Sequence, residues 1–480
     1  MASIADMSQL NPYNQKVPEL LKQRLDQIVK AYDIRGTCPD QLDADVANAL
    51  GAGFARFVRS SEPDTSAIVV GRDMRPSGPE LVEAFSSAVL GHGLDVIDVG
   101  MASTDLLYFA SGSLRVPGAM FTASHNPAQY NGVKLSLSEA APIGADSGLE
   151  TIKRLAVEAA ASQTVGSSGR SQGTRSERAM LDDFSAHVRS FVDLTDARPL
   201  KVVADTANGM GGLVVPAVFK HLPFELEVMY AELDGTFPNH EANPIDVENL
   251  VDLQSRVLET GADIGLAFDG DADRVFLVDE QARPVSGSLT TALLAKSLLD
   301  VNPGASIIHN LICSKVVPEV IKENGGTPIR SRVGHSFIKA EMASTGAEFG
   351  GEHSAHYYFK NNWRADSGLI AAVLVLEQLA RSGGTLSQLL APFDRYAASG
   401  EINTTVDDTA AVIDKVAVHF EAEGAKADWL DGLTIDHGDW WFNLRPSNTE
   451  PLLRLNLEAG DQHEVLRRVS EVQAAMAVGS

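Results

Sequence analysis

The order of apolar and polar residues predicts one structural unit three times along the chain. Each copy has a short apolar run, a loop rich in Gly, Asn or Asp, a helical stretch and a second apolar run. The copies cover residues 67–97, 201–228 and 306–330. A strand–helix–strand unit joins parallel strands and covers them with helices. The sequence therefore predicts three related α/β domains.

The pattern changes after residue 400. A strand-like run at 401–406 is followed by a helix over 408–424, two short strands around Leu433 and Trp441, and a C-terminal helix. This order is typical of a smaller α+β domain, different from the three repeats.

Domain limits follow from these patterns and from a polar, Gly- and Ser-rich segment at 166–173, which we interpret as a linker or exposed loop. The expected domains are residues 1–165, 166–285, 286–396 and 397–480. The predicted fold class is three α/β domains with mixed sheets plus an α+β C-terminal domain.

Composition and charge exclude several classes of function. A formal net charge of -25 over 480 residues leaves no basic surplus to bind nucleic acid or an anionic membrane. The cysteines, Cys38 and Cys313, are too few for a disulfide framework, which favours a reduced, cytoplasmic protein. The N-terminus lacks the apolar core of a signal peptide, and the apolar run at 369–376 is too short to span a membrane. We interpret that run as a buried helix.

Residues 121–127 read Phe-Thr-Ala-Ser-His-Asn-Pro, a candidate phosphoryl-carrying loop. Ser124 follows a predicted buried strand and precedes Pro127, although a simple cap or turn is the alternative. Adjacent side chains usually diverge, so the sequence disfavours a hydrolase pair of Ser124 and His125. Lys134, a few residues later, is either a surface lysine, a phosphate partner, or a general acid or base with a pKa lowered by neighbouring cations.

Asp269, Asp271 and Asp273 alternate between two predicted strands and form a candidate metal loop. An EF-hand is excluded, because Arg274 stands where that loop needs Gly and the flanks are strands. Three carboxylates on one turn repel one another strongly without a cation, so we expect a bound metal, with magnesium suiting carboxylate and phosphate oxygens. Arg274 either faces the same phosphate or only neutralises the aspartates.

Residues 350–356 read Gly-Gly-Glu-His-Ser-Ala-His. If this segment is extended, Glu352, Ser354 and His356 point to one side. A carboxylate with a hydroxyl suits the recognition of vicinal sugar hydroxyls, while a polar surface strand is an equal alternative.

Residues 445–451 read Arg-Pro-Ser-Asn-Thr-Glu-Pro. The guanidinium, hydroxyls, amide and main-chain N–H groups of such a loop bind a phosphate dianion. A turn rich in caps is the alternative. With the serine loop and the metal loop, this segment predicts a sugar monophosphate as ligand.

In this order the motifs resemble those of the α-D-phosphohexomutase family, most closely its bacterial phosphomannomutase/phosphoglucomutase branch. The resemblance extends from Ala-Tyr-Asp-Ile-Arg-Gly at 31–36 to Pro451. It implies four domains around a central cleft. It also implies an isomerase that moves a phosphoryl group between C1 and C6 of mannose or glucose phosphate, through a phosphoserine and a hexose 1,6-bisphosphate.

The resemblance implies the following site residues. Ser124, Asp269, Asp271 and Asp273 would bind one Mg²⁺ per chain. The catalytic residues would be Ser124, Arg35, Lys134 and His125. The substrate-binding residues would be Tyr32, Arg274, Gly334, His335, Glu352, Ser354, His356, Arg445, Ser447, Asn448 and Thr449. We expect a monomer or homodimer acting on a hexose phosphate.

Three positions depart from the family pattern. Asp105 stands where relatives usually have Pro, and Ser367 where many have a second acidic residue or Gly. Ile312 lies near the place where some relatives have a substrate-binding lysine, which Lys315 or Lys339 would have to replace.

Other activities compete with this interpretation. The phosphoglucosamine mutase branch usually has Gly at the position of Asn448 and Gln at that of His353, so the sequence favours mannose and glucose phosphates. A magnesium-dependent sugar phosphatase and a non-catalytic sugar phosphate sensor are the alternatives from other classes.

Overall fold

The structure is a computed structural model that describes residues 12–162, 171–446 and 452–477. Its strands form four sheets. Three are mixed sheets in which a parallel set carries an antiparallel strand, and the last is antiparallel throughout. The predicted fold class is confirmed.

The first sheet has the strand order β1-β5-β4-β2-β3-β7, with β6 paired to β5. Its strands are β1 Ile34–Thr37, β2 Ala67–Arg72, β3 Asp95–Met101, β4 Gly118–Phe121, β5 Tyr130–Leu137, β6 Ala141–Pro142 and β7 Arg175–Glu177. Its helices are α1 Pro12–Ile28, α2 Ala44–Ser61, α3 Gly78–Gly91, α4 Thr104–Leu114 and α5 Leu149–Ala161. Strand β2 is central and buried along most of its length, which explains its continuous apolar sequence.

Strand β7 joins the first sheet although it follows the domain boundary predicted at residue 165. All its residues are exposed, so it has no apolar pattern to predict it. The predicted linker at 166–173 lies largely outside the described residues.

The second sheet has the order β12-β11-β10-β8-β9. Its strands are β8 Lys201–Asp205, β9 Glu225–Met229, β10 Ile264–Phe268, β11 Val275–Asp279 and β12 Pro284–Val285. Its helices are α6 Leu181–Arg189, α7 Gly211–Phe219 and α8 Val251–Thr260. The metal loop connects β10 to the antiparallel β11, as the sequence predicts.

The third sheet has the order β14-β13-β15-β16. Its strands are β13 Ser306–Asn310, β14 Thr327–Ser331, β15 Phe349–Gly351 and β16 Tyr357–Phe359. Its helices are α9 Gly287–Val301, α10 Val316–Glu323, α11 His335–Thr345, α12 Gly368–Ser382 and α13 Leu386–Leu390. Residues 369–376 of α12 are all buried, so the predicted buried helix is confirmed.

The fourth sheet has the order β17-β21-β20-β19-β18. Its strands are β17 Ala397–Thr405, β18 Ala427–Asp428, β19 Leu433–Asp436, β20 Trp440–Pro446 and β21 Leu452–Ala459, and its helices are α14 Thr409–Ala422 and α15 Gln462–Ala477. Strand β21 was not predicted, although its leucines at 453, 455 and 457 are buried in alternation along the strand.

Short 3-10 turns occur at Ser138–Ala140, Ala145–Ser147, Val247–Leu250 and Lys360–Asn362. Across the described ranges, every helix is too short or too polar to cross a membrane.

Candidate active site

Ser124 lies in the loop between β4 and β5. Its φ of 50° is left-handed, and this turns the chain directly after the strand. The Ser124 Oγ lies 2.8 Å from Asp269 Oδ2 and 3.1 Å from His125 Nδ1. The expectation that Ser124 and His125 diverge is therefore wrong, because the left-handed residue interrupts the alternation of an extended strand.

Arg75, which the sequence analysis missed, holds this loop in place. Its side chain is fully buried, and its Nε donates to Asp73 Oδ2 at 3.1 Å. Its two terminal nitrogens donate to four main-chain carbonyls, those of Ser124 at 2.9 Å, Asn126 at 2.6 Å, Pro127 at 2.8 Å and Tyr130 at 2.9 Å. One guanidinium thus fixes the course of the serine loop. The only sequence signal was the charged turn after β2.

The metal loop packs directly on the serine loop. A Cβ at Gly270 would lie 2.5 Å from the Ser124 carbonyl oxygen, so this approach requires glycine. All three aspartates are at most 1% exposed. Thr104, at the start of α4, donates from its hydroxyl to Asp271 Oδ2 at 2.5 Å.

The three aspartates form a candidate cation site. Ligand atoms of Asp269, Asp271 and Asp273 lie within 4.8 Å of one another. Burial and the neighbouring Asp271 raise the pKa of Asp269 to about 7, against the opposing charge of Arg274. Among the described residues, the buried Oδ1 atoms of Asp271 and Asp273 have no hydrogen-bond partner. Unpartnered carboxylate oxygens are the ligands that a hard divalent cation takes, so these residues fit a metal ion.

Lys134 points from β5 into this acidic cluster. Its Nζ lies 2.7 Å from Asp271 Oδ2 and 2.6 Å from Asp273 Oδ2. Burial opposes its charge, but these two carboxylates raise the pKa of Lys134 well above its usual value. Of the three alternatives for Lys134, the one in which cations lower its pKa is therefore wrong, because the nearest charges are negative.

Two arginines flank Ser124. Arg274 Nη2 lies 2.8 Å from Asp269 Oδ2 and 3.4 Å from Ser124 Oγ, so it neutralises an aspartate and also faces the serine. Arg35, on β1, donates from Nε to Asp33 Oδ2 at 2.7 Å and from Nη1 to Asn126 Oδ1 at 2.6 Å. Arg274 thus faces the serine hydroxyl, while Arg35 binds the serine loop through Asn126.

The loop after β14 of the third sheet contacts the segment before β1 of the first sheet. The Tyr32 hydroxyl donates to the Val333 carbonyl at 3.2 Å, and its ring lies 5.5 Å from that of His335. Gly334 has a φ of +131°, which favours glycine, and its N–H donates to Glu352 Oε1 at 3.1 Å. Tyr32 therefore lies next to Gly334 and His335, although it precedes a strand of the first sheet and they follow a strand of the third.

Glu352, Ser354 and His356 lie in a turn between β15 and β16, so the extended segment that would point all three to one side does not form. Ala355, with a φ of 63°, reverses the chain. The Glu352 carboxylate accepts from Tyr358 at 2.6 Å, and Ser354 Oγ lies 3.0 Å from His356 Nδ1. The turn brings His356 within 3.9 Å of Asp273, and so joins this loop to the metal loop.

Arg445 is the second-last residue of β20 and is 8% exposed. Its Nη2 donates to Glu401 Oε2 at 2.8 Å, while its Nη1 is buried without a hydrogen-bond partner in the described part of the chain. Ser447, Asn448 and Thr449 lie outside the described residues.

Lys315 and Lys339, the two candidates to replace the family lysine absent near Ile312, both pair with other groups of the protein. The Lys315 Nζ binds Asp436 Oδ1 and the Gly438 carbonyl, both at 2.7 Å. The Lys339 Nζ lies 2.7 Å from Asp366 Oδ1. The Lys315 side chain therefore connects the segment before α10 to β19, and the Lys339 side chain connects α11 to the segment before α12.

Comparison with protein families gives four consecutive matches to phosphoglucomutase/phosphomannomutase models. Residues 26–162, 182–283 and 286–396 match alpha/beta/alpha domains I, II and III, and residues 401–475 match the C-terminal domain.

Individual relatives match over nearly the whole chain. A protein named "Phosphohexose mutases" from Xanthomonas campestris pv. campestris (strain B100) is 40% identical over 449 residues, 92% of this chain and 97% of that protein. A phosphomannomutase from Escherichia coli (strain K12) is 40% identical over 439 residues, 90% of this chain and 94% of that one. A crystal structure of a phosphoglucomutase/phosphomannomutase family protein from Burkholderia thailandensis is 33% identical, with a TM-score of 0.85 and coverage of 95% of this chain and 98% of that one.

Proposed function

This chain belongs to the phosphoglucomutase/phosphomannomutase family, and we propose that it moves a phosphoryl group between C1 and C6 of mannose or glucose phosphate. The observation that carries the proposal is the environment of the Ser124 hydroxyl. It lies 2.8 Å from an aspartate of a cation-binding cluster and 3.4 Å from the guanidinium of Arg274. A hydroxyl placed between a cation site and an arginine is suited to carry a phosphoryl group.

Asp269, Asp271 and Asp273, with a phosphoryl oxygen on Ser124, would hold one Mg²⁺. When bound, the ion neutralises charge on the transferring phosphoryl group. The buried, unpartnered Oδ1 atoms of Asp271 and Asp273 support this assignment.

In the first half-reaction, the bond between Ser124 Oγ and phosphorus breaks while a substrate hydroxyl oxygen bonds to the phosphorus. The proton of that hydroxyl passes to solvent water, and a hexose 1,6-bisphosphate results. Arg35 and Lys134 are cationic groups beside the loop and would stabilise the charge that develops, while Arg274 donates to the serine oxygen. In the second half-reaction, the sugar turns over and the bond between its other phosphorus and the sugar oxygen breaks while Ser124 Oγ bonds to that phosphorus. The serine hydroxyl loses its proton and the sugar oxygen gains one from solvent water. His125 is held against the same serine oxygen.

The sugar and its other phosphate need separate partners. We infer that Glu352, Ser354 and His356 bind sugar hydroxyls, and that Tyr32, Gly334 and His335 line the same side of the cleft. Arg445 would bind the non-reacting phosphate through its buried, unpartnered Nη1. Ser447, Asn448 and Thr449 would complete this phosphate loop, as the motif indicates.

The test is an assay of mannose 1-phosphate, glucose 1-phosphate and glucosamine 1-phosphate with magnesium and catalytic hexose 1,6-bisphosphate. We expect isomerisation of the first two substrates. Release of inorganic phosphate without isomerisation would identify a phosphatase, and binding without turnover a sensor. Preferential turnover of glucosamine 1-phosphate would identify the amino sugar as substrate.

We further infer a cytoplasmic location. Cys38 and Cys313 are both free thiols, which suits a reducing compartment.

A further inference from the structure

Asp105 is a buried carboxylate that no step proposed above uses. It lies in the first turn of α4 and is 0% exposed. Burial raises the pKa of Asp105 to about 8, although two serine hydroxyls favour its charged form. A buried, ionisable side chain costs stability unless its partners compensate, so its contacts are informative.

The two serines that bind Asp105 begin two different helices. Ser103 is the N-cap of α4, where its Oγ accepts from the Leu106 N–H at 3.3 Å. Ser367 is the N-cap of α12, where its Oγ accepts from the Ile370 N–H at 3.1 Å. Each hydroxyl therefore has one proton left to donate.

Both protons go to the same carboxylate. Ser103 donates to Asp105 Oδ1, and Ser367 donates to Asp105 Oδ2 at 2.7 Å. The N-termini of two helices thus meet at one carboxyl group. Because α4 packs on β2 and β4 of the first sheet and α12 packs on β11 of the second sheet, Asp105 joins two parts of the protein.

The two helix starts touch the metal loop from two sides. Next to Asp105, Thr104 donates from its N–H to the Asp271 carbonyl at 3.0 Å and from its hydroxyl to Asp271 Oδ2 at 2.5 Å. Next to Ser367, a Cβ at Gly368 would lie 2.7 Å from the main-chain carbon of Arg274. The Asp105 carboxyl group therefore links the two helix starts that contact the metal loop, one through Thr104 and the other through Gly368.

A second connection, through Lys339 of α11, links α4 to the segment before α12. Tyr108 is one turn along α4 from Asp105, and the Lys339 Nζ lies 3.9 Å from its ring centroid. Lys339 in turn pairs with Asp366, the residue before Ser367. The connection is therefore built from an ion pair and a cation–π contact as well as from hydrogen bonds.

We propose that Asp105 is a positioning residue for the metal loop: by holding the N-cap serines of α4 and α12 together, it keeps Thr104 bonded to Asp271 in the conformation that binds the cation. This inference rests on the metal site of the proposed function. Asp105 does not touch the cation or the substrate, so its effect on the reaction passes through Thr104.

The test is a double-mutant cycle of Asp105→Asn and Ser367→Ala. Asparagine keeps the shape but has one acceptor oxygen, so one of the two serines loses its partner. We measure the magnesium concentration that gives half-maximal kcat/KM, and the Mg²⁺-dependent rise in melting temperature, which needs no turnover. We expect each single variant to raise the half-saturating magnesium concentration by about 10-fold, the lower end for partners of metal ligands. The double variant should be no worse than the single ones.

Ser286→Ala is the matched control. Ser286 caps α9 by accepting from the Leu289 N–H at 3.2 Å. This variant loses a cap of the same kind, so it should lower the melting temperature without changing the magnesium dependence.

Three results would overturn the proposal: an unchanged magnesium dependence in both single variants, fully additive effects in the double variant, or an equal magnesium effect in Ser286→Ala. If Asp105→Asn does not fold, Ser367→Ala alone decides, because it removes the same contact and leaves the carboxylate in place. If the wild-type protein shows no mutase activity, the proposed function fails. The magnesium-dependent melting shift still tests Asp105 in that case.

Discussion

Arg75→Lys tests how the serine loop is held. The variant keeps a positive charge beside Asp73 but replaces a planar group of five donors with an ammonium that has three. Arg75 has five acceptors, namely the four loop carbonyls and the Asp73 carboxylate. At least two acceptors must therefore lose their partner.

The size of the effect follows from burial. The Arg75 side chain is 0% exposed and its bonds to the Ser124 carbonyl and to Asp73 are buried, so water does not replace a donor that is missing there. A buried acceptor left unpaired costs about 1–3 kcal/mol, which gives about 2–6 kcal/mol for two. This cost is local to the serine loop, because all four carbonyls belong to residues 124–130.

Hydrogen exchange measured by mass spectrometry is the suitable assay, because it reports on the serine loop itself, whereas a melting temperature reports on larger parts of the protein. A loss of 2 kcal/mol or more should speed exchange in residues 122–134 by more than about tenfold, with kcat/KM falling as well. Arg72→Lys is the control, because Arg72 donates to the Asp73 carbonyl at 3.2 Å and does not reach the loop. Unchanged exchange in the loop of Arg75→Lys, or an equal change in the control, would refute the reasoning.

Three further predictions concern other parts of the chain. Asp271→Asn should lower kcat/KM by at least about 10-fold, or about 1.4 kcal/mol, with a raised magnesium requirement; wild-type turnover and magnesium dependence would exclude Asp271 as a ligand. Arg445→Ala should cost roughly 2–4 kcal/mol in kcat/KM, mainly through KM, and an unchanged value would show that another group binds the phosphate. Burial opposes the charge of His240, but Asp205, 3.0 Å away, raises the pKa of the imidazole. The stabilisation is complete below the unfolded pKa of His240, about 6.5, and is lost as pH rises through its pKa in the folded protein. Between about pH 6 and pH 9, the melting temperature of the wild type should therefore fall more than that of His240→Gln. Equal falls in the two proteins would contradict the assignment.

The sequence predicted the three repeats because their strands are buried and therefore apolar. It could not predict β7, whose residues are all exposed and are held by main-chain pairing with β3. Strand β21 could have been predicted from its alternating leucines. The sequence analysis missed it because the phosphate motif directly precedes it. Residues with chemistry of their own, such as Ser124 and the three aspartates, could be proposed from motifs.

A residue whose partners are main-chain groups could not be proposed from a sequence motif. Arg75 binds carbonyl groups, which every residue has, so no side-chain pattern marks its partners. Asp105 and Ser367 were noted separately as departures from the family pattern. Their contact joins positions 262 residues apart, and only the folded chain brings them together.

The central claim is that Ser124 carries the phosphoryl group that is exchanged with the sugar. The most direct measurement is peptide mass spectrometry of the dephosphorylated protein after incubation with magnesium and a hexose 1,6-bisphosphate labelled in its phosphoryl groups. The account predicts one labelled phosphoryl group on Ser124, lost again when hexose monophosphate is added, and no label in Ser124→Ala. Label on another residue, or full mutase activity of Ser124→Ala, would contradict it.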